Sequence, residues 1–224
     1  VTHIKTKSFT ESIRAIAKKR QNWLLSIFSG LAFAPVSVLG GLWGVPFVSQ
    51  AYHMSKTAAA SNISLIFIGF AVGAPMLGIL SDQVGRRKPL VYIGTIAAFF
   101  LICIALFCTS IPVLLLSIIM FGFGFFISAF LISFTMIREI NPLAFAATSV
   151  ATMNTLNAIL CAFSDPFIGK LLDIFWKGEM KDGAPVFQVI DYQLGLATLP
   201  AYLLIGIVIF YFVKETNCKQ LEEK

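Results

Sequence analysis

Charge is scarce in this chain: only 12% of its 224 residues are Asp, Glu, Lys or Arg, where soluble domains carry about 25%. Histidine is scarcer still, with His3 and His53 isolated from each other. No C-x-x-C and no His-rich tract occurs, so no metal and no cofactor is expected. There is no histidine in an inner apolar stretch and there are no paired carboxylates, so the nucleophile–base set of a membrane enzyme is missing. Cys103, Cys108 and Cys161 fall in apolar runs and Cys218 near the C-terminal end, an arrangement that offers no structural disulfide. The stretch from Ile93 to Phe107 has no polar face, and a helix on the surface of a soluble protein would show one.

What fills the chain instead is apolar: 58% of the residues are hydrophobic, 22 of them Phe, and the mean hydropathy is +0.86. A helix that crosses a bilayer needs about 20 apolar residues. Six such runs are expected, Trp23–Val48, Ala58–Leu80, Leu90–Thr109, Pro112–Ile137, Leu143–Leu172 and Gln193–Val213. The fold class is therefore an all-α membrane protein. Residues 1–22 form a cytoplasmic linker or amphipathic segment, 23–213 a six-helix transmembrane bundle and 214–224 a cytoplasmic tail, with no soluble domain.

All but four of the 17 Lys and Arg residues fall on the side of the N-terminus; Lys56, Lys170, Lys177 and Lys181 are the exceptions. The cation-rich side includes Lys5, Lys7, Arg14, Lys19, the Arg86-Arg87-Lys88 run, Arg138, Lys214 and Lys224. Cation excess marks the cytoplasmic face, so both termini are expected there. Asp173, Glu179, Asp182 and Asp191 gather on the opposite side. The net charge of +6 follows from this topology and does not point to nucleic acid. Ser8-Phe9-Thr10-Glu11 reads as a capping box that opens a helix. Phe9, Ile13, Ile16 and Ala17 then share a face suited either to the inner leaflet or to a solvated tether that leads into Trp23 at the interface.

Polar residues are confined to a few spans. In the first, Ser26, Ser29, Gly30, Phe33, Ser37, Gly40 and Gly44 fall near one face. Gly40-Gly41 and Pro46 suggest a bend in its outer half. This face reads equally as a cavity wall or as small-residue packing. In the second, Gly69, Gly73 and Gly78 lie at packing spacing around Pro75, and Asn62 sits near the outer end, where water can reach it. The fourth carries a stripe of Ser117, Gly124, Ser128 and Thr135. The fifth is the most polar: Asn154, Asn157, Cys161 and Asp165 share one face. An intramembrane acid is a functional candidate by default; because Pro166 follows it, Asp165 reads also as the cap of a helix break. The third and sixth spans are plain and read as lipid-facing.

Between the second and third spans runs Gly78-Ile79-Leu80-Ser81-Asp82-Gln83-Val84-Gly85-Arg86-Arg87-Lys88-Pro89-Leu90. It resembles the signature loop of the major facilitator superfamily of transporters, G-x-L-[AS]-D-x-x-G-R-[RK]-x-x-L, at every defined position. The charged residues 1–22 resemble that family's central linker, Lys214-Glu215-Thr216 its exit from the last helix, and Pro166-x-x-Gly169-x-x-x-Asp173 its penultimate helix. The resemblance therefore implies the C-terminal six-helix half, built as two inverted three-helix repeats with a solute site near the midplane. The missing N-terminal six-helix half of the same polypeptide would be its partner, together with membrane lipid and a small-molecule solute.

The function so implied is secondary active transport by alternating access, coupled to an ion, with the proton favoured, in the inner (plasma) membrane of a bacterium. Gly78, Asp82, Gly85, Arg86, Arg87 and Glu139 would form the gating loop. In it Gly78 would permit close approach and Gly85 the turn, and Asp82 would meet an Arg and the N-terminus of the fifth span. Phe33, Ser37, Ser128, Asn154 and Asn157 are the candidate solute contacts and Asp165 the candidate proton-coupling group. The other readings are a non-transporting receptor or scaffold on the same fold, or a half-size subunit.

Overall fold

The computed structural model describes residues 9–220 apart from 177, 179, 182, 183 and 186. Ser8 of the expected capping box, and Lys5, Lys7, Lys177, Glu179, Asp182 and Lys224 of the charge assignment, lie outside the described residues. So do His3 and residues 1–8 and 221–224 of the expected linker and tail.

Uninterrupted apolar runs form helices, as they must where no water satisfies the backbone. The order is α1 (Phe9–Lys18), α2 (Arg20–Ala51), α3 (Lys56–Val84), α4 (Lys88–Phe107), α5 (Val113–Glu139), α6 (Ala146–Phe175) and α7 (Val189–Tyr211). A two-stranded hairpin, Met180–Lys181 against Ala184–Pro185, sits between α6 and α7. Each expected span coincides with one of α2–α7. The 5 helices α2, α3, α4, α5 and α7 are long and apolar enough to cross a membrane. The helix α6 has the length, 30 residues, but Thr148, Asn154, Asn157, Asp165 and Lys170 leave it too polar to qualify on composition.

The helices pack in two groups, α3 with α5 and α5 with α4, then α2 with α6 and α7; α7 also meets α4. The first group is joined through glycine. An added Cβ at Gly69 would strike the Phe121 carbonyl, one at Gly73 the Phe125 carbonyl, and one at Gly124 the Ile66 carbonyl. This close approach explains the stripe on α5. Ser117 donates to the Asn62 carboxamide at 2.7 Å, and Ser128 donates to its own helix at Phe125 O, 2.6 Å away, facing Gly73. The stripe is therefore a helix seam, and Asn62 is buried in it rather than hydrated. Gly78 behaves differently from its expected role. An added Cβ there would meet nothing within 4 Å, so this chain provides no close neighbour for it.

At Gly40-Gly41, where a bend is expected, the outer half of α2 widens into a π turn over Leu39–Trp43 and then continues as helix to Ala51. Two further expectations are corrected. Pro166 does not end α6, which runs through it, so Asp165 caps no helix break. The helix α1 is no free tether. Ile16 is buried, Asn22 Nδ2 donates to Ile16 O at 2.9 Å, and Trp23 Nε1 donates to Ala17 O at 2.8 Å. The first residues of α2 thus close the C-terminus of α1.

Candidate functional site

The polar groups that matter collect in three places. The first is the inner face, where α3 ends. Gly85, at φ 71°, takes the left-handed conformation that ends the helix, and its N–H returns to Ser81 O. This is the position where glycine is needed. The turn delivers Arg87 into the bundle. Its guanidinium is 7% exposed and reaches Asp82 Oδ1 at 2.5 Å, Ser81 Oγ at 3.1 Å and Glu139 Oε1 at 2.8 Å. Glu139 ends α5, and its other oxygen accepts from Thr216 Oγ1. Burial alone would lower the Arg87 pKa, but the hydrogen bonds that it donates to Glu139 and Asp82 outweigh this and hold the group above its ordinary value.

Sequence reasoning centred this cluster on Asp82. The structure centres it on Arg87, because the Asp82 side chain is 67% exposed and meets Arg87 alone in an ion pair. Arg86 is exposed, and among the described residues its guanidinium makes no ion pair. The larger omission was the segment after α7. Glu215 accepts from the backbone N–H of Arg87 and of Lys88, both at 2.9 Å. These are donors at the start of α4 that have no partner inside the helix. Lys88 Nζ in return donates to Tyr211 O and Val213 O at the end of α7. Each helix end thus receives the charge that its dipole favours. Burial pushes the Glu215 carboxyl up, but amide donors from Arg87, Lys88, Asn217 and Thr216 outweigh it and leave the pKa lowered. The signal was present in Lys214-Glu215-Thr216; only its role was missing.

A second omission is the Asn22–Asn141 pair. The two carboxamides exchange hydrogen bonds at 3.2 and 2.7 Å, both buried, and join the start of α2 to the end of α5. Gln220 adds a bond to Asn141 O.

The second place is a polar seam between α2 and α6. Asn157 is buried and reaches Ser29 Oγ at 3.5 Å. The Cys161 thiol contacts Asn157 Oδ1 at 3.9 Å and lies against Ser37. One turn further out, Trp43 Nε1 donates to the main-chain carbonyl of Asp165 at 3.3 Å. The carboxylate atom Asp165 Oδ1 is buried and has no hydrogen-bond partner among the described residues. Trp43 is the last residue of the π turn, and such turns concentrate at functional sites.

The third place is a cleft of about 640 Å³ between α5 and α6, lined by Phe134, Arg138, Leu143, Val150, Asn154 and three alanines. Phe134 stands 6.2 Å from Phe130 between ring centroids, Phe130 5.5 Å from Phe33, and Phe33 6.4 Å from Phe70. Of the expected solute contacts, Asn154 lines the cleft, whereas Phe33 is separated from it by the buried Phe130 ring. Ser37 and Asn157 lie in the seam, and Ser128 lies in the α3–α5 contact.

Several apolar helices of spanning length make this an integral membrane protein. The chain belongs to the Major Facilitator Superfamily, a family of transporters and not of enzymes, whose profile matches residues 23–217. It is 31% identical over 193 residues to the Bacillus subtilis (strain 168) protein named "Putative metabolite transport protein YfiG", covering 81% of this chain and 36% of that one. It is 42% identical over 55 residues to the glycine betaine/proline/ectoine/pipecolic acid transporter OusA of Dickeya dadantii (strain 3937), covering 25% of this chain and 11% of that one. A segment of 57 residues is 40% identical to the MFS-type transporter oryN of Aspergillus oryzae (strain ATCC 42149 / RIB 40), 25% of this chain and 11% of that one. The chain spans about a third of the length of the relative that it matches most fully.

Proposed function

We propose that these residues are the C-terminal six-helix half of a secondary transporter that moves a small solute by alternating access, with a proton as coupling ion. On this reading α6 is the sixth span, its polar side covered by protein or cavity water. The inverted repeats are α2–α4 and α5–α7, whose helices interleave in the two packing groups, and the missing half completes the cavity. Cation excess near Arg86, Arg87 and Lys88 supports a cytoplasmic inner face and both termini there, in a bacterial inner membrane. The names of YfiG, "Putative metabolite transport protein", and of OusA, a glycine betaine/proline/ectoine/pipecolic acid transporter, support a small metabolite as cargo.

The observation that carries the reading is Arg87, buried between Asp82 and Glu139. It ties the ends of α3 and α5 together at the inner face, while Glu215 ties α4 to the segment after α7. In the proposed mechanism this cluster holds one conformation, and solute binding at Asn154 and Phe33 releases it. Asn157, Ser37 and Ser128 set the helix contacts that shift, and Asp165 takes up and gives back the proton. Gly78, open within this chain, would lie against the other half.

The test is solute uptake by the full-length gene product in proteoliposomes. Asp82→Asn is expected to abolish uptake with insertion and expression near normal. Full uptake by that variant would remove the latch. Asp165→Asn is expected to abolish uphill, pH-driven uptake while leaving downhill exchange; retention of uphill uptake would remove the proton role.

A further inference from the structure

Arg138 and Glu139 are neighbours in sequence and do opposite things. Successive residues on a helix point about 100° apart, so Glu139 turns into the Arg87 cluster while Arg138 turns to the cleft between α5 and α6. Arg138 is exposed, and among the described residues its guanidinium has neither a hydrogen-bond acceptor nor an ion-pair partner. This distinguishes it from Arg87 and Lys88, which are both fully engaged. No acid lines the cleft with it: the wall is Phe134, Leu143, Val150, Ala146, Ala147 and Ala151, with Asn154 as the other polar group.

Arg138 stands beside an open cleft flanked by apolar side chains, which screen its charge less than water does. The planar guanidinium fork suits a carboxylate or a phosphate, which it grips with two parallel bonds. The three alanines leave room, and about 640 Å³ lies within the range of small-metabolite sites, roughly 300–1,000 Å³. Asn154 stands eight positions into α6 from Ala146, about 12 Å along the helix. The cleft therefore offers a cation near the inner mouth and a carboxamide deeper in.

We infer that Arg138 is a specificity-determining residue and that the cleft takes a solute bearing an anionic oxygen group, a carboxylate or a phosphate. The guanidinium holds the oxyanion at the mouth, and Asn154 hydrogen-bonds a second polar group of the solute. This rests on the transport reading above for its consequence, though not for the binding itself.

The experiment uses the full-length gene product in two formats. In detergent, thermal unfolding is followed during titration with sodium succinate, sodium phosphate, D-glucose or choline chloride at matched ionic strength. In proteoliposomes, uptake of the same four labelled compounds is measured. One of the two anions is expected to raise the unfolding temperature, which also tells carboxylate from phosphate. Arg138→Gln is expected to weaken that binding by about tenfold or more, the loss of a charge-assisted hydrogen bond. Arg138→Lys should keep part of it, since it keeps the charge and loses the fork. Stabilisation by glucose or choline with none by either anion would overturn the inference, and so would equal anion affinity in Arg138→Gln and wild type. Anion binding that depends on Arg138, without flux of any compound, would overturn the transport reading and leave the inference standing. Flux without anion preference would do the reverse.

Discussion

The inner-face cluster and the seam between α2 and α6 are both polar regions in an apolar bundle, yet they are satisfied to different degrees. At the inner face Arg87 meets two carboxylates and a hydroxyl at 2.5–3.1 Å, and Glu215 accepts four backbone bonds. In the seam the contacts of Asn157 and Cys161 stretch to 3.5 and 3.9 Å, and one oxygen of Asp165 has no partner among the described residues. A buried polar group left without a partner costs about 1–3 kcal/mol, so a fold tolerates one mainly where a ligand, a proton or a moving element supplies the partner. The inner face is built to hold one arrangement, and the seam is built to leave one.

That comparison can be broken at either end. The largest effect is expected for Glu139→Gln, which leaves the buried Arg87 with only the exposed Asp82 as counter-charge. Removal of one partner of a buried pair costs about 3–5 kcal/mol. Denaturant unfolding of the full-length gene product should show the loss, and a change within error would mean that the cluster does not hold the bundle. Asp82→Asn comes next and separates stability from function. Because Asp82 is 67% exposed, the stability cost should stay at or below about 1 kcal/mol, while uptake is lost. A large stability loss would make Asp82 an anchor instead of a latch.

Asn157→Ala in the seam should cost only about 0.5–1.5 kcal/mol, less than Glu139→Gln, because its bond to Ser29 is long. The paired variant Asn154→Ala should leave stability unchanged and raise the apparent Michaelis constant. An unaltered constant would assign Asn154 to packing. The smallest effect is the acid dependence of the inner face. The folded-state pKa of Glu215 is lowered, so its contribution is fully present above the unfolded value of about 4.3 and disappears as pH falls through the folded value. Wild-type stability should therefore decline below about pH 4.3 more steeply than that of Glu215→Gln, in matched unfolding curves. Parallel curves would show that Glu215 adds nothing as a charge.

The helices were legible because a bilayer-length apolar run has few alternatives to a helix. Even so, α7 starts at Val189 rather than Gln193. Its start is set by Gln188 and Asp191, whose side chains exchange hydrogen bonds with the backbone in a capping box. Hydropathy does not register a buried Asp that serves a helix end. The loop from Gly78 to Leu90 was legible as a charged hairpin, and the left-handed Gly85 agrees with the turn expected there. The role of the α5 stripe is not legible in the sequence, since a Ser at helical spacing looks the same whether it faces water or a neighbouring glycine. Only the facing Gly69, Gly73 and Asn62 decide it.

What the residues alone determined is the class of the molecule and the identity of its charged loop, because both depend on composition and on contacts close in sequence. Tertiary structure alone decided who pairs with whom. Glu215 caps a helix that begins 127 positions before it, Asn22 exchanges bonds with Asn141 across 119, and Arg138 faces open space while its neighbour Glu139 is locked. Partners so distant along the chain leave no periodic trace in it. Only packing brings them within the few ångströms over which a hydrogen bond acts.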